Sequence, residues 1–395
     1  MKIVIVGGGF GGLKTALELE NVTGFEVTLI SDKDTFQYYP TLYSTATGYS
    51  HKETWVPIDT ILEGKDNIRF VKDSIVSMDP KAKSITGKSG TSYSYNRLVL
   101  ALGSVTTYFG IEGLDQYAYG IKSEDEIRRL QKHLLQEVRD ESVTDKHYVV
   151  IGAGPTGVEL ASALGQYIKK IHKHLNIPLK DKTVNIDLVE AAPRVLPRMS
   201  EASSRKAEAR LRKLGVNVML DRKVESETAG ELMVSGQPLK SHTVIWTSGV
   251  ANAPFFTDNA QHFNLDQRSH VIVDSHMNAC DGVYVIGDNA ATPYAGLAQT
   301  ALHDAVFVAR NLKREANGHA LLNYKAVLPA SVVPIGKNWA VFEWGSIKFS
   351  GPLAMLMREF ADIIGYHDLL PIGQAIGVWK AGSKAELQIP ETIGN

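Results

Sequence analysis

A single cysteine, Cys280, stands among 395 residues. A disulfide framework, a C-x-x-C redox pair and a Cys-rich metal site all need more thiols, so each is excluded. Cys280 itself reads as a small buried hydrophobe just before a strand, the usual setting of a free cysteine. Neither sign of charge is in excess: 42 basic against 43 acidic residues leave no basic stripe for nucleic acid and no acidic bias toward disorder. No apolar run reaches the roughly 18 residues that span a bilayer. Met1 and Lys2 lead straight into Ile3–Val6 without a cleavage-site pattern, which predicts a cytosolic chain. What remains is a globular composition, 44% hydrophobic and 22% charged, in a chain long enough for two or three domains.

Glycine, in contrast, recurs in a pattern. MKIVIVGGGFGG at the N-terminus and HYVVIGAGPTGVEL at His147–Leu160 each run an apolar strand into a turn that fits G-x-G-x-x-G. The turns use Gly7, Gly9 and Gly12, then Gly152, Gly154 and Gly157. The first glycine of such a turn makes the bend, the second lets backbone approach a pyrophosphate, and the third lets helix pack on strand. A helix N-terminus then offers unpaired N–H groups and a positive dipole end to the phosphates. Each turn is followed by helical and then strand pattern, the context that makes the motif a dinucleotide signature. Two cradles imply two dinucleotides.

The first unit predicts a strand at Ile3–Val6, a helix from about Leu13 to Glu20 and a strand at Glu26–Ile30. The position that holds a ribose falls at Ser31, with Asp32 next. Further strands are expected at Ile68–Val71, Ser74–Met78 and Arg97–Ala101, the last closing in LALG with Ala101 and Gly103. A helix starts at Ser123, where Ser123 and Glu126 form a capping box. In the second unit the strand Val184–Val189 follows a basic insertion, IKKIHKHLNIPLKDK, read as a solvated helix face, and ends at Glu190. A carboxylate there accepts from a ribose 2′-OH and repels a 2′-phosphate, favouring NADH over NADPH, with Arg194 as the competing cation. A strand from Thr243 closes in TSG at Gly249, and VYVIGD brings Gly287 and Asp288 to a strand end before a helix near Leu297.

The order GGGFGG, LALG, IGAGPTGVE, TSG, VYVIGD resembles the two-dinucleotide-binding flavoproteins. That resemblance implies an α/β fold of two Rossmann-like domains, one for FAD and an inserted one for NADH, plus a C-terminal membrane-associating region. The expected divisions are residues 1–115 and 261–320 for FAD, 116–260 for NADH and 321–395 for the C-terminal part. Asp288 would hold the ribityl chain of FAD. Within the superfamily, Glu159 after the second turn, the Ala298-Gln299 pair with Ala301, and the stretch ASVVPIGKNWAVFEWGSIKFSGPLA with Lys337 are similar to the type II NADH:quinone oxidoreductases. His303 stands where that family's second motif glutamine would be.

The family likeness implies hydride transfer from NADH to FAD N5 and two-electron reduction of a quinone, with Glu159, Gln299 and Lys337 as catalytic candidates and no metal. Gln299 would point an amide at a flavin or quinone carbonyl, since an amide both donates and accepts. Glu159 would relay a proton or orient the nicotinamide, and Lys337 would pair with it, sit near the reduced flavin or simply occupy a surface turn. His303 is read as structural. In PLAMLMREFADIIGYHDLLPIGQAIGVW, Leu353, Leu356, Met357, Phe360, Ile363 and Ile364 mark an amphipathic helix. It is read as lying in the membrane interface, the alternative being a dimer or intrachain packing face. The expected protein is a homodimer on the cytoplasmic face of the membrane, without ion pumping. The rival reading is an FAD- and NADH-dependent reductase of a soluble redox protein.

Overall fold

The computed structural model describes residues 1–142, 144–179 and 183–383. From the N-terminus β1 (Lys2–Val6) runs through the first glycine turn into α1 (Phe10–Glu18), followed by β2 (Glu26–Ser31), the short α2 (Leu42–Ala46), β3 (Ile68–Lys72) and β4 (Arg97–Leu100). The chain then crosses through β5 (Ser104–Thr106) and α3 (Glu124–Arg139) into β6 (Asp145–Ile151), α4 (Pro155–His174), β7 (Thr183–Val189), α5 (Glu201–Lys213), β8 (Val216–Met219) and β9 (Thr243–Trp246). It returns by β10 (Val250–Asn252) to β11 (Asn278–Cys280), β12 (Val283–Val285) and α6 (Ala298–Ala316). It finishes with β13 (Ser331–Pro334), β14 (Ala340–Trp344), β15 (Ile347–Gly351), α7 (Pro352–His367) and α8 (Ile372–Ser383).

Two open sheets result. The first has the order β11-β12-β4-β1-β2-β3, parallel except at β11, and the second is the parallel sheet β8-β7-β6-β9. Four of the five β1 residues are buried, as expected of a central parallel strand covered on both faces. In each sheet the strand that feeds a glycine turn lies where the chain order reverses: β1 between β2 and β4, β6 between β7 and β9. The crevice beyond such a strand's carboxyl end is where open α/β sheets take their ligands.

The sheets are joined by β5 and β10, which pair antiparallel. Asn289, fully buried, locks this crossing: its amide donates to Gly103 O at 2.7 Å and Asn252 Oδ1 at 2.6 Å, and accepts from Gly103 N at 3.0 Å. The capping box at Ser123 and Glu126 opens α3 and buries Ile127, Leu130 and Leu134. Much of the basic stretch expected as an insertion is the end of α4, where Ile168 and Ile171 turn inward while Lys169, Lys173 and His174 meet solvent. Lys180, Asp181 and Lys182 of that stretch lie outside the described residues. Two expectations shift. α1 begins at Phe10 rather than Leu13, because Gly12 already lies in its first turn. Cys280 ends an edge strand and is half-buried, not fully buried.

The C-terminal strands form an antiparallel meander, β13-β14-β15, and α7 packs on it. α7 is inverted relative to an ordinary surface helix. Arg358, Ala354 and Tyr366 point inward, whereas Leu353 and Ile364 are each 61% exposed, with Leu356, Met357 and Phe360 on the same outer face. The stretch after it behaves oppositely: Leu369, Leu370 and Ala375 are buried, and Val378 and Trp379 pack on the first core. The second half of the C-terminal apolar sequence is thus an intrachain packing face. Residues 384–395 of the expected C-terminal region lie outside the described residues. Among the described residues no helix is long and apolar enough to cross a membrane.

Candidate active site

The two glycine turns have the same geometry. Gly7 has φ +116° and Gly152 φ +101°, the region open to glycine. A Cβ on Gly7 would stand 2.0 Å from Ala101 O, and one on Gly152 2.2 Å from Ser248 Oγ. On the third glycines, Gly12 and Gly157, a Cβ would meet the carbonyl oxygen of the first at 1.9 and 1.8 Å. These four positions are closed by the protein itself. The middle glycines differ: among the described residues, a Cβ on Gly9 or Gly154 meets nothing within 4 Å. Both are the N-caps of their helices, neither has a side-chain cap, and the open space lies where the helix N–H groups point. Packing does not account for glycine there, whereas the close approach of a pyrophosphate does.

Around the first turn, Ser31 is buried at the end of β2, and its hydroxyl accepts from Lys33 N at 3.2 Å. Asp32 is exposed beside it. Ala101 seals the bend of Gly7, and Gly103, at φ +69°, is held by Asn289. Asp288 accepts from Ser104 Oγ at 3.0 Å. Tyr39 is 44% exposed as a residue, and desolvation of its hydroxyl, reinforced by the charges of Asp288 and Asp32, pushes that hydroxyl's pKa up to about 12. Asp304, fully buried on α6, accepts from Gly287 N at 3.0 Å and from the Tyr324 hydroxyl at 2.6 Å, fixing the bend that presents Asp288.

Around the second turn, Glu190 reaches back to the glycines: its carboxylate accepts from Ala153 N at 2.6 Å and Ala192 N at 2.8 Å. Each oxygen keeps a further acceptor site for a ribose hydroxyl. Arg194 is spent elsewhere, donating to Met199 O and Pro197 O at 2.6 Å each. Gly249 lies against the crossing strands, where a Cβ would stand 1.9 Å from Thr107 O.

A buried ionic cluster sits at the start of α4. Glu159, 7% exposed, meets Arg358 of α7, with Oε1 to Nη1 at 3.2 Å. Arg358 in turn donates to Asp362 Oδ2 at 2.9 Å and Pro40 O at 2.6 Å, and the Tyr38 hydroxyl donates to Asp362 Oδ1 at 3.0 Å. Burial pushes the Glu159 carboxyl up to about 8; Arg358 pulls it down and Asp362 adds to the rise. Beyond Tyr38, Tyr366 stacks at 4.1 Å between ring centroids and donates to Glu53 O at 2.7 Å. The Glu53 carboxyl, accepting from Ser44 Oγ at 3.0 Å, is pushed up by burial to about 7. Two carboxyls that change charge near neutrality are suited to proton traffic.

The remaining candidates are placed differently from their simplest reading. Lys337 is exposed in the turn between β13 and β14, and the cation that meets Glu159 is Arg358. Gln299, at the second position of α6, is not free: Nε2 donates to Ala330 O and Oε1 accepts from Ala330 N, both at 3.1 Å. Ala298 opens α6 and packs on the first core. His303 bonds Lys325 O at 2.9 Å, a structural role. Sequence reasoning missed Arg358, Tyr38 and Glu53. One signal was available for Arg358: a cation four residues before Asp362 on one amphipathic helix.

Residues 1–305 match the pyridine nucleotide-disulphide oxidoreductase family. The chain belongs to that family. Among characterised relatives it is similar to a type II NADH:quinone oxidoreductase of Mycobacterium tuberculosis, 28% identical over 95% of this chain and 86% of the relative. The enzyme of the same name from Staphylococcus aureus is also 28% identical, over 95% of this chain and 97% of the relative. Both accord with the likeness carried by Glu159 and the Ala298-Gln299 pair. In fold the chain is similar to the NDH2 of Plasmodium falciparum solved with NADH, with a TM-score of 0.86, 18% identity and 98% of each chain covered. The sulfide:quinone oxidoreductase of Aquifex aeolicus has a TM-score of 0.80 at 20% identity, covering 95% of this chain and 92% of that one.

Proposed function

We propose that this chain is an FAD-dependent NADH:quinone oxidoreductase that pumps no ions. In this reading residues 1–115 and 261–320 hold FAD, 116–260 hold NADH, and 321–395 are the C-terminal part, whose described residues 321–383 cover the site and meet the lipid. The observation that carries it is the matched pair of glycine turns, each closed at its outer glycines and open at Gly9 or Gly154. FAD, when bound, supplies the two-electron chemistry between NADH and quinone. The chain's own residues bind, orient and handle protons. The α1 and α4 N-termini take the pyrophosphates, Asp288 takes the ribityl hydroxyls, and Ser31 and Asp32 lie at the first ribose position. Glu190 takes the second ribose and disfavours a 2′-phosphate, a preference supported by the engagement of Arg194 with backbone carbonyls.

Glu159 holds a proton near neutrality and supplies one toward the quinone, with Arg358 setting its position. Gln299 orients the acceptor side by gripping Ala330, the residue that leads into β13. Lys337 is at most a distant electrostatic contributor. The outer face of α7 rests on the cytoplasmic side of the membrane, which its exposed leucines and isoleucine favour. We also infer a homodimer, supported by Trp344 and Ile347 of the C-terminal sheet, 51% and 54% exposed.

The test is anaerobic mixing of the purified yellow protein with NADH, then with a short-chain quinone, with and without liposomes. Bleaching by NADH, recovery of colour by quinone and stimulation by lipid are expected. A protein that bleaches but ignores both quinone and lipid would be a reductase of a soluble acceptor instead. Gln299→Ala is expected to keep the bleaching step and to slow the quinone step severalfold.

A further inference from the structure

A cavity of about 760 Å³ lies between the crossing segment 106–117 and the three-stranded meander formed by residues 224–240. No residue of either glycine turn lines it. Its wall carries three carboxyls, Glu112, Asp115 and Glu227, and two tyrosines, Tyr108 and Tyr117, with no lysine, arginine or histidine. Glu227 is only 5% exposed, yet its Oε2 has no hydrogen-bond partner among the described residues.

The backbone explains how so costly a group is held there. Glu227 N donates to Glu112 O at 2.9 Å, and Gly113, at φ +82°, packs so tightly that a Cβ would stand 1.9 Å from Glu227 O. The two segments are clamped through main chain, and the clamp carries the side chain into the cavity wall whether or not its acceptor is filled. A buried carboxyl oxygen without a donor is unfavourable until something supplies one.

The geometry points to a binding site for a small organic cation, bearing an amine or guanidinium, anchored on the Glu227 carboxylate. Such a cation brings the donors that the buried oxygen lacks, and a guanidinium brings them in a planar fork that suits a carboxylate. Glu112 and Asp115 add negative potential, and the faces of Tyr108 and Tyr117 suit a cationic guest. The volume lies within the range of small-molecule sites, about 300–1,000 Å³. The guest would bridge the crossing segment and the meander, of which the meander lies in the part of the chain holding the second glycine turn.

Agmatine, which carries one group of each kind, is the probe, titrated calorimetrically into the FAD-loaded protein. Saturable one-to-one binding is expected, weakened at least about tenfold in Glu227→Gln, as one charge-assisted bond would require, and less in Asp115→Asn. NADH oxidation by both variants is expected to stay at the wild-type rate. Burial pushes the Glu227 carboxyl up to about 8, with Tyr108, Glu112, Asp115 and Tyr119 facing it and Glu126 and Arg129 of α3 beyond the tyrosines. Binding at pH 7 therefore releases a proton, read as heat that varies with the buffer's ionisation enthalpy. This arm uses the wild type and decides the matter if Glu227→Gln does not fold. Absence of saturable binding, equal affinity in Glu227→Gln, or binding without proton release would each overturn the assignment.

Discussion

Glu159 and Arg358 stand 199 residues apart in the chain and meet at 3.2 Å, each more than nine-tenths buried. The pair joins the second turn of α4 to the inner face of α7, so one ionic contact links the helix after the second glycine turn to the C-terminal cover. Arg358 spreads its donors over Glu159, Asp362 and Pro40 O, using the planar fork that lysine lacks.

Removing the cation leaves two carboxyls in a dry site. Arg358→Met is expected to cost about 3–5 kcal/mol, the usual penalty for breaking a buried pair, with Arg358→Lys recovering part of it. Glu159→Gln keeps a donor-acceptor contact with Arg358 but removes an ionisation near pH 8, so the alkaline limb of the quinone-dependent rate should flatten. The measurements are thermal melts and a pH–rate profile. A profile identical to wild type would remove Glu159 from proton handling.

The two glycine classes should separate stability from binding. At Gly154, φ is −69° and a Cβ meets nothing, so Gly154→Ala should leave Tm unchanged while raising KM for NADH by about tenfold or more, since backbone and phosphate can no longer close. Gly9→Ala should likewise fold but lose FAD. Gly152→Ala, at φ +101° with Ser248 Oγ in the way, should be destabilised by about 1–3 kcal/mol. Equal effects of the three on Tm would contradict an open ligand space at Gly9 and Gly154.

Stability should fall as pH rises through neutrality. The Glu53 carboxyl sits near 7 when folded and near 4.5 when free, so between those values the native state binds more protons. Its contribution is complete below about pH 4.5 and lost as pH passes 7, a change of at most about 3 kcal/mol. The charges facing it are Asp362 and Arg358, and α8 presses on it: a Cβ on Gly382 would lie 1.5 Å from Glu53 Oε2. Glu53→Gln should flatten the slope of Tm between pH 5.5 and 8. A slope unchanged by that substitution would show that burial of Glu53 is not its source.

The outer face of α7 should carry the membrane affinity. Leu353→Ser, Phe360→Ser and Ile364→Ser together should release the protein from anionic and neutral vesicles alike, each contributing about 1 kcal/mol or more. Tm should hold, because all three side chains are more than half exposed. Flotation with liposomes measures it, and retention of the triple variant on vesicles would sink the assignment.

Much of the site was readable from local pattern because its geometry is local. A glycine turn is a property of six consecutive residues, and its strand and helix follow from flanking periodicity, so β1, α1, β6 and α4 lie close to where the sequence puts them. Glu190 was readable for the same reason, closing the strand that follows a turn, whereas Glu159 was singled out through the family likeness. Arg358, Tyr38 and Glu53 were not readable, because they come together from three separate stretches, and no spacing rule relates residue 38 to residue 366. Gln299 shows the intermediate case: its place at the start of α6 was foreseen, but not its grip on Ala330.

Periodicity and positive φ depend on neighbouring residues alone, so the order of residues along the chain sets where helices and strands run and where backbone must bend beyond the reach of ordinary side chains. The same periodicity marked Leu353, Leu356, Met357, Phe360, Ile363 and Ile364 as one stripe of α7, of which Ile363 is half-buried. Which way that stripe faces depends on contacts with residues distant in the chain. A buried Arg358 needs Glu159, Asp362 and the Pro40 carbonyl around it, all supplied on the inner side, so the charged edge turned toward the protein and the apolar face was left to the outside.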